Sequence, residues 1–158
     1  SICIRPSELD DAVSLAKQCP ETVFILDHCG NADPNIINGD SIGREESWGL
    51  LYKHTKSGWE DAIGELGSLS NVICKISGIV ARAEQGWTVD HLAPTVDYCL
   101  DTFGSERVVF GSDWPVCLFG SDLKGWVTAY RNILAERDTD FQHNAMHRTA
   151  KRVYSLDE

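Results

Sequence analysis

Two kinds of apolar spacing alternate along the chain, short continuous runs and longer stretches with helical periodicity, which predicts strands separated by helices. The run Ile2 to Arg5 is stopped by Pro6. Ser7, with Asp10 three places on, is expected to cap a helix striped by Leu9, Ala12, Val13 and Ala16. Thr22 to Leu26 is continuous and β-branched, as in a strand buried on both faces, and leads into Asp27-His28-Cys29-Gly30. Asn71 to Ile76 and Arg107 to Phe110 repeat that pattern, ending in Ser77-Gly78 and in Gly111-Ser112-Asp113-Trp114-Pro115.

Between the strands, a Ser57 to Glu60 capping box opens a helix with Trp59, Ile63 and Leu66 on one face. Leu92, Val96, Cys99, Leu100 and Phe103 stripe another, its main body expected from Pro94 and its stop at Gly104. Two helices close the chain, one striped by Leu123, Trp126, Val127, Tyr130 and Ile133, the other by Phe141, Ala145, Thr149 and Val153. The polar stretch of residues 31–56 reads as a long loop or lid within a single domain, 1–158. This order predicts an α/β fold with a parallel sheet and right-handed crossovers. An open doubly wound sheet and part of a (β/α)8 barrel both satisfy it.

Charge narrows the partners. Fourteen Lys and Arg against 24 Asp and Glu give a net charge of −10, which excludes a phosphate-tracking surface for nucleic acid. No window reaches the ~18 apolar residues of a bilayer span, and the opening residues lack the layout of a signal peptide, so no membrane and a cytoplasmic location are expected. Six scattered cysteines without C-x-x-C read as reduced core thiols.

In parallel α/β folds ligands gather at the carboxyl ends of the strands. Those ends present Arg5, then Asp27 and His28, then Lys75 with Ser77, then Ser112 and Asp113. Each has an ordinary structural role open to it: Asp113 as a helix cap, His28 as a hydrogen-bonded core histidine, Lys75 as a solvated charge. Together they make a set able to polarise a carbonyl, orient water and take its proton, with Trp114 as a pocket wall. His143 and His147 stand at i, i+4 but lack the glutamate of a zinc protease and are assigned to a solvent face. Neither a nucleotide-binding glycine loop nor G-x-S-x-G occurs.

Leu26-Asp27-His28-Cys29-Gly30, Cys74-Lys75-Ile76-Ser77-Gly78 and Phe103 through Arg107 to Asp113-Trp114-Pro115, in that order, resemble the amidohydrolase superfamily. The likeness is to its branch of metal-dependent TIM-barrel hydrolases that contains sugar-acid lactonases and dicarboxylate-lactone hydrolases. It implies an incomplete parallel (β/α) barrel, the C-terminal half or more of a (β/α)8 TIM barrel. The four strands would correspond to the fourth, fifth, sixth and eighth, or to neighbours of these, with a seventh near Gly78-Ile79-Val80 or before Thr88.

By the same resemblance His28 contacts metal or the substrate carbonyl, Asp113 activates the hydrolytic water, and Arg5, Lys75 and Trp114 bind substrate. The reaction implied is the opening of a lactone or related ester by activated water. Zinc or another divalent metal serves some members and none serves others. The family's H-x-H pair is absent, so His28 and Asp113 alone would be metal ligands here. Against the roughly 250 residues of a complete barrel, 158 residues predict open edges needing a homodimer or an N-terminal half. The alternatives are an inactive, self-associating barrel fragment and a small-anion-binding α/β module.

Overall fold

The structure, a computed structural model, describes residues 1–39 and 53–156. Three parallel strands, β1 (Phe24–Leu26), β2 (Val72–Ile76) and β3 (Val108–Phe110), form a sheet in sequence order. The Ile2 run adds only a parallel bridge to Leu26, made by Ile2 N to Ile25 O and Asp27 N to Ile2 O. Pro6 follows so closely that the run cannot extend into a ladder.

Successive helices lie side by side. α1 (Leu9–Gln18) packs on α4 (Lys56–Ser68), α4 on α5 (Val89–Phe103), and α5 on α6 (Leu123–Leu134). The expected stripes of α1, α4 and α5 are all buried. They meet Leu26, Val72, Cys74, Ile76 and Val108 in one core. In α6 the buried stripe is Trp126, Ala129, Tyr130, Ile133 and Leu134, while Leu123 stays exposed because Asp122 caps the helix directly before it.

Alternation along the strands sends Ile73, Lys75 and Val109 to the opposite face. The last helix packs against β3; it comprises α7 (Thr139–His143), a π turn (Asn144–Arg148) and α8 (Thr149–Val153).

The amino ends of the strands are clamped by side chains reaching backbone carbonyls. The Asn71 amide lies 3.0–3.1 Å from the carbonyls of Ala16, Cys19 and Thr22, tying the end of α1 to β2. Arg107 donates to Leu69 O at 2.9 Å, Val72 O at 3.3 Å and Gly67 O at 2.8 Å, fastening β3 to the end of α4.

Several local expectations are corrected. Ser7 does not cap α1; a 3-10 turn over Pro6–Glu8 intervenes, held by Glu8 accepting from Arg5. α4 starts at Lys56 because Thr55, two residues ahead of Ser57, accepts from Gly58 N. α5 runs from Val89 with Pro94 inside it, so the helix begins five residues before the expected start and forgoes the bond that residue 94 would donate to Asp90 O. No strand lies between β2 and β3 among the described residues. Ile79–Ala81 is a 3-10 turn and β2 pairs directly with β3, so these strands are consecutive neighbours with no seventh strand intervening.

Residues 40–52 of the expected lid, Trp48 included, lie outside the described residues. The part before them is packed: α3 (Pro34–Ile37) docks on α5, and the Asn38 amide donates to His91 O at 2.7 Å. All six cysteines are free, four buried, Cys19 half-buried and Cys3 exposed. His143 and His147 are exposed as expected. No described helix is long and apolar enough to cross a membrane.

Candidate active site

An open cleft of about 430 Å³ lies at the carboxyl ends of the strands, lined by Asp27, His28, Lys75, Ser77, Gly111, Ser112, Asp113 and Trp114. All three strand ends reach it. After β1 comes α2 (His28–Asn31), a single turn in which His28, Cys29, Gly30 and Asn31 all have left-handed φ of 52–66°. Such a run in non-glycine residues is unfavourable unless tertiary bonds hold it.

Here they do. Trp59 Nε1 donates to Cys29 O at 2.8 Å, the Asn31 amide donates to Ile4 O at 2.8 Å, and Arg82 donates to Asn31 Oδ1 at 2.6 Å. A Cβ at Gly30 would lie 3.0 Å from Leu9 and 3.1 Å from Ile63, so the turn is also pressed against the core.

The turn swings the His28 ring over the end of β2. Its Nδ1 lies 2.9 Å from Ser77 Oγ, and Ser77 is fully buried. Gly78, at φ 72°, has no side chain because a Cβ there would fall 2.6 Å from His28 Nδ1. Asp113, also left-handed at φ 55°, places Oδ2 3.9 Å from the same Nδ1. That is too long for a hydrogen bond and leaves the carboxylate free to hold a water.

Lys75 projects into the cleft, and its Nζ lies 2.7 Å from Asp27 Oδ1 and 5.9 Å from the centre of the Tyr154 ring. Asp27 Oδ1 is fully buried and lacks a well-directed hydrogen bond, so its contact with Lys75 is an ion pair. Burial pulls the Lys75 pKa down, but bonding to Asp27 and Tyr154 outweighs it and holds the ammonium above the ordinary lysine range.

His28, Lys75, Asp113 and Trp114 are thus brought together, with the Trp114 ring 65% exposed at the rim. Arg5 is not among the lining residues; its guanidinium turns to Glu8 on the surface. Two members went unassigned in the sequence. Asp27 is Lys75's partner, which its place beside His28 at a strand end could have signalled. Tyr154 is more than seventy residues away along the chain, and no local pattern marks it.

As a metal centre the cleft is short of donors. Only His28 and Asp113 converge as ligand types, the histidine nitrogen nearest Asp113 is taken by Ser77, and an ammonium sits alongside. A catalytic zinc needs three protein ligands, so the described residues do not by themselves fit one.

The sequence profile of the amidohydrolase family matches residues 1–156. The chain belongs to that family. It is 34% identical over 163 residues to an L-fucono-1,5-lactonase of Burkholderia multivorans (strain ATCC 17616 / 249), covering 99% of this chain and 51% of the relative. A second L-fucono-1,5-lactonase, of Burkholderia ambifaria, is 31% identical over 72% of this chain and 33% of its own length. Among solved structures, an amidohydrolase from Burkholderia multivorans with bound zinc superposes with a TM-score of 0.81 at 26% identity, over 99% of this chain and 52% of the other. The chain therefore spans about half the length of the relatives it matches.

Proposed function

We propose that this cleft opens a lactone of a sugar acid, the activity named for its L-fucono-1,5-lactonase relatives. The observation that carries the reading is Asp113 held beside, yet unbonded to, a histidine whose ring is fixed by Ser77. Asp113 takes a proton from a water as that water attacks the lactone carbonyl carbon. With its proton on Nε2, His28 accepts the Ser77 hydroxyl at Nδ1 and donates from Nε2 to the carbonyl oxygen as it becomes an oxyanion. The ring C–O bond then breaks, and the proton held by Asp113 passes to the departing oxygen, giving a hydroxy acid.

Lys75, held by Asp27, presents its ammonium to the carboxylate that forms, while Trp114 walls the sugar. No step runs through a metal. Coordination by His28 and Asp113, as a zinc-bound neighbour invites, would need at least one ligand from beyond the described residues.

The same reading makes the sheet a segment of a (β/α) barrel: consecutive parallel strands with α1, α4, α5 and α6 side by side fit a barrel wall better than a doubly wound sheet. In a barrel the free side of β3 pairs onward, with a second copy or with further chain.

The test is acid release from a panel of sugar-acid 1,5-lactones. Asp113→Asn is expected to lower the rate roughly 10²–10⁴-fold; a variant that keeps full activity removes Asp113 from the mechanism.

A further inference from the structure

Behind the cleft, on the other face of the same two strand ends, three thiols meet. Cys74 precedes Lys75 on β2, so strand alternation sends it into the core while Lys75 faces the cleft, and the left-handed turn does the same for Cys29 beside His28. Cys99 comes from α5. The three Sγ atoms lie within 4.8 Å of one another and all three residues are 0% exposed. Among the described residues this is the one place where three or more His, Cys, Asp or Glu ligand atoms converge.

A second observation points to a ligand there. The Tyr130 hydroxyl, on a helix packed against α5, is buried without a hydrogen-bond partner among the described residues, and burial, with the three cysteines adding to it, pushes its pKa up. An orphaned buried hydroxyl is costly, and no group among the described residues satisfies this one.

We propose that Cys29, Cys74 and Cys99 form a structural site for a thiophilic divalent ion of the zinc class, with Tyr130 closing the fourth side. Tetrahedral zinc with Zn–S of about 2.3 Å places its sulfurs roughly 3.8 Å apart, so the thiols need to close by ~1 Å at most. Binding displaces three thiol protons to solvent and leaves a complex of net charge −1, which the Tyr130 hydroxyl stabilises by coordinating or by donating to a thiolate. Because the thiols are sealed from solvent, loading accompanies folding. The bound ion joins the β1 turn, β2 and α5, and so fixes the backbone that carries His28 and Lys75. The site is separate from the cleft and stands whether or not the cleft hydrolyses lactones.

The probe is Co(II). Refolding the chain with excess Co(II) under reducing conditions is expected to give one ion per chain, with sulfur-to-cobalt charge-transfer bands and the strong ligand-field bands of tetrahedral geometry. Those bands should persist in His28→Ala, which separates this site from the cleft, and Zn(II) should displace the cobalt and bleach them. Cys99→Ser should weaken the charge-transfer band by about a third or abolish it. A refolded wild-type chain that shows no sulfur-to-cobalt band overturns the proposal without recourse to any variant, as do bands of full strength in Cys99→Ser.

Discussion

The two ends of the sheet are built from the same strands and treated in opposite ways. At the amino ends, Asn71 and Arg107 spend their donors on six backbone carbonyls, and no described non-glycine residue there has left-handed φ. At the carboxyl ends, His28 and Asp113 sit in left-handed backbone, Asp27 Oδ1 lacks a directed hydrogen bond, and Trp114 is exposed. Stability is concentrated at one end, and at the other some of it is given up to hold groups at separations useful for chemistry.

The largest expected effect breaks the comparison from the chemical end. The Asp113→Asn loss of roughly 10²–10⁴-fold in rate should come with little change in stability, within about 1 kcal/mol by urea unfolding, since Asn tolerates left-handed φ as well as Asp. Substantial unfolding would make Asp113 a structural residue like those at the opposite end.

Arg107→Ala is the mirror experiment. Three part-buried carbonyls lose a charged donor, and the urea midpoint should fall by the equivalent of about 1–3 kcal/mol with the slope unchanged. The rate per folded molecule should hold, because the change lies at the far end of β3. A lower rate without lower stability would show that the two ends are coupled through the strand.

How far the sequence discloses each end follows from what holds it. The helical core rests on local periodicity, and the stripes of α1, α4 and α5 are legible for that reason, whereas the clamps by Asn71 and Arg107 join residues 35–55 apart and leave no local pattern. The strand ends are legible too, since a parallel sheet forces polar residues after each strand to one side; hence His28, Lys75 and Asp113 meet. What does not show is anything fixed by tertiary packing. Arg5 sits at a strand end like the others, yet Pro6 turns the chain and Glu8 captures its guanidinium. Ser57 and Ser7 match the capping pattern, but Thr55 takes the Gly58 N–H ahead of Ser57, and the 3-10 turn over Pro6–Glu8 puts Ser7 inside a turn instead of at the cap of α1. The left-handed turn at His28 has no glycine signal beyond Gly30, because Trp59 and Arg82 from other elements impose it.

Gly78→Ala sharpens the comparison within the chemical end. The added methyl would fall 2.6 Å from His28 Nδ1 at a position of positive φ, so it strains the backbone and pushes the imidazole off Ser77. A stability loss of about 1–2 kcal/mol is expected. The rate should fall roughly 10–100-fold, because a catalytic group displaced by ~1 Å loses most of its advantage. A full rate in the folded variant would mean that the position of His28 is immaterial to the reaction.

Trp114→Ala should have the smallest effect, and it separates binding from chemistry. The ring stands at the rim, touches none of the core and is 65% exposed, so truncation should leave stability within about 0.5 kcal/mol. Its backbone N–H donates to Ser112 Oγ at 3.3 Å whatever the side chain, and Asp113 keeps its position. What goes is one apolar wall of the cleft. KM for the lactone should rise about 3–10-fold with kcat unchanged, the mark of an interaction made equally in ground and transition states. A fall in kcat at constant KM would instead place the ring against the reacting centre, making Trp114 part of what aligns the carbonyl between Asp113 and His28.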